Sequence, residues 1–200
     1  FRLSGLKSSD LDLGSREAIA GEEALIWYPA EVNTSIRPGW FYHPEEDGRV
    51  MFPDALYELY LRSVGGNATF LLNVPPTPEG LIHPADEAAL AGLGARIYQA
   101  FERKLFEGAA PGGWAFTISL DGPERLGLLR LKEDIRLGQR VEAFDVTLTL
   151  NGCEAGVYHG TTVGYQRLVP LGGAVADRVT VRVTASRAEP AFLMAGLYGA

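Results

Sequence analysis

The sequence predicts a mixed fold: the last two βα units of a (β/α)8-like barrel in residues 1–107, followed by an antiparallel β-sandwich in residues 108–200. Two observations predict the first part: a strand, a loop and a helix occur twice in succession, and both strands are short apolar runs typical of parallel sheets. A series of short alternating segments after residue 107 predicts the second part.

The first unit opens with a polar, turn-rich stretch, residues 1–22, which is predicted to be a long loop. Residues 24–32 (ALIWYPAEV) form an apolar run stopped by Pro29, a pattern typical of a buried strand whose last residues enter a loop. Residues 68–76 (ATFLLNVPP) repeat this pattern and are predicted to be the second strand.

A helix is predicted after each strand. The first begins at Pro53, carries an apolar stripe and stops at Gly65 and Gly66. The second runs from Pro84 to residue 106, with acids in its first turn, where the helix dipole favours them.

The second unit follows a linker of small residues, 107–113, and consists of short strands separated by turns. The predicted turns are Asp121-Gly122, Asn151-Gly152 and Gly172-Gly173. The predicted strands are 114–120, 126–135, 140–150, 161–171, 178–185 and 191–199.

Two parallel strands cannot form a stable sheet alone, because their outer backbone groups would be unpaired and their faces uncovered. A barrel of eight units needs about 250 residues, so six further strands are expected outside this sequence, and a start at Phe1 fits an internal position. Barrel active sites form on the loops at the carboxyl ends of the strands. The stretches 27–43 and 73–84 are therefore expected on the catalytic face.

Composition excludes several classes of partner. The chain of 200 residues is 46% hydrophobic with a net charge of −7, as expected of a globular protein. Without a basic run, neither nucleic acid nor an anionic membrane is an expected partner. The single cysteine, Cys153, cannot form an internal disulfide, and no signal peptide is visible, so localisation is undecided.

The loop residues of both βα units combine flat apolar rings with polar groups. Sugars bind through ring stacking on their C–H faces and hydrogen bonds to their hydroxyls. The sequence therefore favours a carbohydrate site. Its candidate residues are Trp27, Tyr28, Glu31, Arg37, Trp40, Phe41, Tyr42, His43 and Asn73.

The segments WYPAEVNTSIRPGWFYHPEED and LYELYLRSVGGNATFLLNVPPTPEGLI, followed by a β-sandwich, resemble the C-terminal part of the α-L-fucosidases of glycoside hydrolase family 29. The resemblance is closest to the subfamily that prefers α-1,3/1,4-linked fucose, and it extends from about Asp10 to TTVGYQRL. It implies a retaining exo-glycosidase that needs no cofactor and releases fucose from fucosylated oligosaccharides. Retention by two carboxyl groups requires them to lie about 5 to 5.5 Å apart.

The family's catalytic segments are missing from these residues. The nucleophile aspartate lies in a WFDGA-like segment and the acid/base glutamate in a GNEAG-like loop, and neither string occurs here. No catalytic residue is therefore expected in this chain, and the expected partner is the N-terminal barrel portion of the same enzyme, as a separate chain, a cleaved fragment or a further segment. These residues alone are expected to release no fucose from an aryl fucoside.

Each candidate residue has a structural alternative. Glu31 is expected to bind a sugar hydroxyl or orient a catalytic group, with pairing to Arg37 as the structural alternative and a role as acid/base as the runner-up. Arg37 is held extended by Pro38 and grips either a substrate hydroxyl or a barrel carboxylate.

The remaining candidates lie in the same two loops. Trp40 and Phe41 are expected to line the C6 methyl of fucose or, alternatively, to pack on the helix that begins at Pro53. His43 and Asn73 are expected to donate to the ligand or to hold the loops. HPEEDG, residues 43–48, is interpreted as a solvated turn, and no metal site is expected, because the three histidines lack ligand spacing.

Two further function classes remain open. The chain could be a noncatalytic carbohydrate-binding module, in which case the sandwich alone should bind a fucosylated glycan. It could instead be a structural β-sandwich that braces the barrel, which predicts destabilisation on its removal without any affinity of its own.

Overall fold

The computed structural model describes residues 19–26 and 29–200. Among these residues, the named elements form a two-stranded parallel sheet, two α-helices and a six-stranded antiparallel sheet. The elements are β1 (Glu31–Ser35), α1 (Pro53–Arg62), β2 (Thr69–Asn73), α2 (Pro84–Glu102), β3 (Lys104–Gly108), β4 (Ala115–Glu133), β5 (Val141–Leu150), β6 (Cys153–Gly160), β7 (Arg167–Ser186) and β8 (Phe192–Gly199), with short 3-10 helices at Pro44–Arg49 and Ile135–Leu137.

The predicted parallel strand pair is confirmed, but the predicted bounds of its first strand are wrong. β1 pairs with β2 from Glu31↔Thr69 to Ser35↔Asn73. The strand starts after Pro29, because the residues that pair are EVNTS rather than the apolar run before it. Leu25 and Ile26 of that run are exposed.

One face of the two-stranded sheet packs on the helices. Residues alternate between exposed and half-buried along both strands, which places Glu31, Asn33 and Leu71 on the open face. Leu72 of the other face packs against a buried cluster formed by Ile36, Leu56 and Ala89. No further strand pairs with either edge among the described residues.

Both predicted helices are present. α1 buries Leu56 and ends before Gly65 and Gly66, as the glycine stop predicts. α2 ends at Glu102, so the prediction of helix to residue 106 is wrong, because residues 104–108 pair with β8 as strand β3. No helix of the described residues is both long enough and apolar enough to span a membrane.

The antiparallel sheet has the strand order β3-β8-β4-β7-β5-β6. Predicted turns at Asp121-Gly122 and Gly172-Gly173 are wrong: both dipeptides lie inside the long strands β4 and β7, where shifts of register bend the strands. The predicted turn at Asn151-Gly152 is confirmed, with φ values of 51° and 82° that suit a two-residue hairpin between β5 and β6. Strand β6 was not predicted.

Bending produces a sandwich-like arrangement from one continuous sheet. The first half of β4 pairs with the second half of β7, next to β5 and β6, whereas the second half of β4 lies between β8 and the first half of β7. The two halves share one apolar core. Its largest fully buried members are Phe144, Leu126, Leu129, Leu131, Leu148, Leu171 and Leu197.

The sheet packs directly on the helices. Leu128, Leu168 and Tyr198 form a second buried cluster on the outer face of the sheet, and Tyr60 and Phe101 of the helices pack against it. β3 belongs to this sheet although it lies within residues 1–107. The division into two units at residues 107 and 108 stays a prediction.

Candidate functional site

The two parallel strands end side by side at Ser35 and Asn73, and hydrogen bonds tie the following loops to these ends. The Asn73 side-chain amide donates to Ser35 Oγ at 3.1 Å and to the Trp40 carbonyl at 3.0 Å. Ser35 Oγ donates to the Gly39 carbonyl at 2.7 Å. The turn of residues 36–40 is therefore held from both strands, and the structural reading of Asn73 has direct support.

Arg37 lies in this turn, with 2% of its surface exposed. Its Nε donates to both carboxylate oxygens of Asp86, at 3.1 and 3.0 Å. Its Nη1 donates to Asp47 Oδ1 at 2.9 Å, and the ring of Tyr42 lies 4.7 Å from its Cζ. Arg37 therefore pairs with two carboxylates of this chain, and the predicted alternative pairing with Glu31 is not the one formed.

Burial and charge act on Arg37 in opposite directions. Burial disfavours the charged guanidinium, but the hydrogen bonds and charges of Asp86 and Asp47 outweigh it and raise the pKa of Arg37 above its usual value. The guanidinium is thus charged at every accessible pH. Asp86 is fully buried, so its carboxylate has Arg37 as its ionic partner.

His83 and Tyr42 connect the two loops. The His83 Nδ1 accepts a hydrogen bond from the Ala85 amide at 3.2 Å and so caps the N-terminus of α2. This bond requires a lone pair on Nδ1, which leaves Nε2 as the protonated nitrogen facing Asp47 Oδ2 at 3.4 Å. The Tyr42 and His83 rings lie 5.9 Å apart.

The side chains of Trp40 and Phe41 in the first loop are open to solvent. Trp40 is 53% exposed and Phe41 78%, so the helix that begins at Pro53 leaves most of both rings uncovered. The side chain of His43 is half exposed, and its carbonyl accepts from Arg37 Nη1 at 3.4 Å. The loop therefore exposes two apolar rings, while the polar groups beneath them are hydrogen-bonded to one another.

One predicted site residue, Glu31, lies away from the carboxyl end of β1. Glu31 was predicted at the carboxyl end of its strand, but it is the first residue of β1. About 13 Å of strand separates it from Ser35 at that end. Its side chain is exposed on the open face of the sheet. Trp27, with its neighbour Tyr28, lies outside the described residues.

Sequence reasoning missed the two acids that bind Arg37. Asp86 was interpreted only as a helix-dipole acid, and Asp47 only as part of a solvated turn. Asp47 in fact turns towards Arg37, with its side chain 34% exposed. The burial of Arg37, which the structure shows, is what requires carboxylates nearby, and no local pattern in the sequence indicates that burial.

The described residues contain no group of three or more acidic, histidine or cysteine side chains that could hold a metal ion. An open cavity of about 340 Å³ lies beside the first loop, between the 3-10 helix and α2. Its lining includes Asp47, Phe52, Pro53 and Ala88, so it is mainly apolar.

Comparison with known proteins identifies the relatives of this fold. α-L-Fucosidase 1 of Arabidopsis thaliana is 30% identical over 86% of this chain. The chain is homologous to α-L-fucosidases. It spans about two fifths of the length of the curated relatives it matches, 40% and 41%. No family model matches the chain.

Solved structures extend this relationship to the fold. A Bacteroides ovatus protein provisionally named an α-L-fucosidase matches all of this chain with 40% identity and a TM-score of 0.84, and this chain covers 35% of it. A glycoside hydrolase 29 family member from an unknown rumen bacterium matches 86% of this chain with 34% identity and a TM-score of 0.75, with 33% of that structure covered. The antiparallel sandwich-like sheet thus corresponds to part of the fucosidase fold.

Proposed function

We propose that this chain forms the C-terminal part of a retaining α-L-fucosidase that releases fucose from α-1,3/1,4-fucosylated glycans. Homology to α-L-fucosidases and to a glycoside hydrolase 29 structure supports fucosidase function in general. The observation that carries the proposal is the loop at the carboxyl ends of two parallel strands, which exposes Trp40 and Phe41 above a hydrogen-bonded base.

The proposal includes a partner: an N-terminal barrel portion that supplies the nucleophile, the acid/base and six further strands. The open face of the two-stranded sheet and its unpaired edges among the described residues support this partner. Packed against further strands, Glu31 and Asn33 would line the barrel interior, where a carboxylate can bind sugar hydroxyls. In this arrangement the sandwich-like sheet braces the outside of the helices.

In the proposed site, Trp40 and Phe41 cover the C6 methyl that distinguishes L-fucose from L-galactose. Trp27, His43 and Glu31 are the further candidates for sugar contacts. L-Galactose adds a hydroxyl to this methyl, and an apolar pocket rejects an added hydroxyl by about 100-fold, so this contact can account for selection of the deoxy sugar.

The test uses the whole protein that contains this chain and a pair of aryl glycosides, α-L-fucoside and α-L-galactoside. We expect fucose release with α-fucose as the first anomer seen by proton NMR, and a preference for fucoside that falls about tenfold in Trp40→Ala. Release of β-fucose first would contradict retention. A preference unchanged in Trp40→Ala would remove this residue from the methyl subsite.

The alternative is a noncatalytic carbohydrate-binding or structural β-sandwich module. Calorimetric titration of the whole protein with a fucosylated oligosaccharide distinguishes it: binding without hydrolysis favours a binding module, and neither binding nor hydrolysis favours a structural one. Trp114, immediately before β4, is the aromatic to replace, since it is 46% exposed and its indole N–H donates to Glu189.

A further inference from the structure

The Arg37 guanidinium joins three segments that are far apart in sequence. Asp86 belongs to the first turn of α2, Asp47 belongs to the 3-10 helix, and Arg37 itself follows the end of β1. Tyr42, whose ring covers the guanidinium, lies immediately after Phe41. Each contact therefore fixes part of the backbone around Trp40 and Phe41, the exposed aromatic pair.

The guanidinium is too deeply buried to contact a sugar. No part of the Arg37 side chain is exposed, although the open face of the parallel sheet is uncovered in this structure. Its Nη2 is buried and has no hydrogen-bond partner among the described residues. A ligand hydroxyl could reach this atom only if Tyr42 or the surrounding loop moved away.

Hydrogen bonds and ring contacts along the loop fix the backbone on both sides of Trp40 and Phe41. The Trp40 carbonyl is held by Asn73, and the Gly39 carbonyl by Ser35. On the other side of the aromatic pair, Tyr42 is held by its contacts to Arg37 and Asp47. The backbone of Trp40 and Phe41 is thus fixed before and after the pair, while both rings stay open to solvent.

We propose that Arg37, with Asp86 and Asp47, is a positioning device that sets Trp40 and Phe41 for the sugar without touching it. The guanidinium acts through the loop: Asp86 anchors it to the helix, and Asp47 and Tyr42 fix the segment after the aromatic pair. This inference rests on the proposed function for the identity of the sugar. The position of the loop itself does not depend on that function.

The test compares Asp47→Ala with the matched control Asp54→Ala in the whole protein. Asp47 is the better target because it is partly exposed, whereas loss of the fully buried Asp86 threatens folding. Asp54 also pairs with an arginine, Arg96, but 73% of its side chain is exposed. Thermal unfolding of both variants checks that they are folded.

Two readouts separate positioning from a general loss of stability. In fluorine NMR of 5-fluorotryptophan-labelled protein, the Trp40 resonance is assigned by its loss in Trp40→Phe. This resonance should shift or broaden in Asp47→Ala and stay unchanged in Asp54→Ala. The KM for aryl α-L-fucoside should rise about tenfold in Asp47→Ala, with kcat within about threefold. Asp47→Glu, which keeps the carboxylate, should restore most of the KM.

The outcomes are distinct. An unchanged Trp40 resonance together with an unchanged KM would overturn the positioning device. A fall in kcat with KM unchanged would overturn it as well, since that pattern indicates contact with the reacting sugar. If the unaltered protein releases no fucose, the proposed function fails, and the Trp40 resonance still decides whether Arg37 and its acids set the loop.

Discussion

Gly92 of α2 packs against Pro53 at the start of α1 so closely that a Cβ at position 92 would lie 2.4 Å from Pro53 Cγ. The proline ring cannot rotate away, so the two helices would have to separate. Because both helices carry the loops of the candidate site, this contact links helix packing to the spacing of those loops.

Gly92→Ala should therefore destabilise the protein by about 1–2 kcal/mol, since overpacking outweighs the gain in helix propensity. Gly94→Ala is the matched control in the same helix: nothing lies within 4 Å of the added Cβ, and stability should rise by up to about 1 kcal/mol. Chemical denaturation of both variants measures the difference. Equal effects would show that α1 and α2 do not pack as described.

The buried Arg37–Asp86 pair should be costly to break from one side. Asp86→Leu leaves the buried guanidinium of Arg37 with Asp47, which is partly exposed, as its remaining ionic partner, and should lower the unfolding free energy by up to about 3–5 kcal/mol. The double replacement Arg37→Met with Asp86→Leu should lose less than the single one, because it leaves no unpaired charge at this position. Denaturant midpoints of the single and double variants provide the check, and additive losses would contradict the pairing.

Glu133 should stabilise the antiparallel sheet through its hydrogen bonds to three backbone amides. Its buried carboxylate accepts hydrogen bonds from the amides of Arg140, Val141 and Gly164, at 2.8, 2.9 and 2.6 Å. Glu133→Gln replaces one acceptor oxygen with a donor and should cost about 1–3 kcal/mol. Hydrogen exchange at Val141 and Gly164 should accelerate. Glu154→Gln, at an exposed position of β6, should change neither measurement.

The Tyr198–Glu107 hydrogen bond predicts a pH window of stability. Burial, followed by this bond, raises the pKa of Tyr198 to about 12 from 10.0, while the bond, followed by Lys104, lowers the pKa of Glu107 below 4.5. A raised tyrosine pKa stabilises the fold below pH 10 and is lost as the pH rises towards 12. A lowered glutamate pKa stabilises it above pH 4.5 and is lost at lower pH.

Thermal unfolding of the unaltered protein and Tyr198→Phe between pH 3 and pH 11 tests this window. The stability difference between them should be greatest between about pH 5 and 10, and it should narrow at both ends. A difference that does not vary with pH would mean that Tyr198 contributes only through packing. Phenylalanine at this position keeps the edge-to-face contact with Phe101.

Local signals in the sequence identified most of the secondary structure of the first unit. Proline at position 84 and the glycines at 65 and 66 correctly predicted where α2 begins and where α1 ends. The predicted bounds of β1 were shifted towards the N-terminus because they followed an apolar run. A strand that has one open face does not need to be apolar throughout, so such a run does not mark its position. Its paired residues include the polar Asn33 and Thr34.

The site was predicted in part. The sequence located Trp40 and Phe41 in the loop after β1, where both are exposed, and their role in sugar binding stays a prediction. It could not identify Asp86 as the partner of Arg37, since 49 residues separate them and helix-dipole acids are common. The sequence likewise gave no sign that Gly172 and Gly173 bend a strand, because glycine also marks turns.

By itself, the sequence determined the two helices, the parallel strand pair and the composition of the two loops, because propensity, periodicity and proline or glycine punctuation act over a few residues. Tertiary structure alone decided which charges meet, how β4 and β7 bend into one sandwich-like sheet, and that β3 joins it. The physical reason is that burial and strand pairing depend on residues distant in the chain, whose approach only the folded backbone establishes.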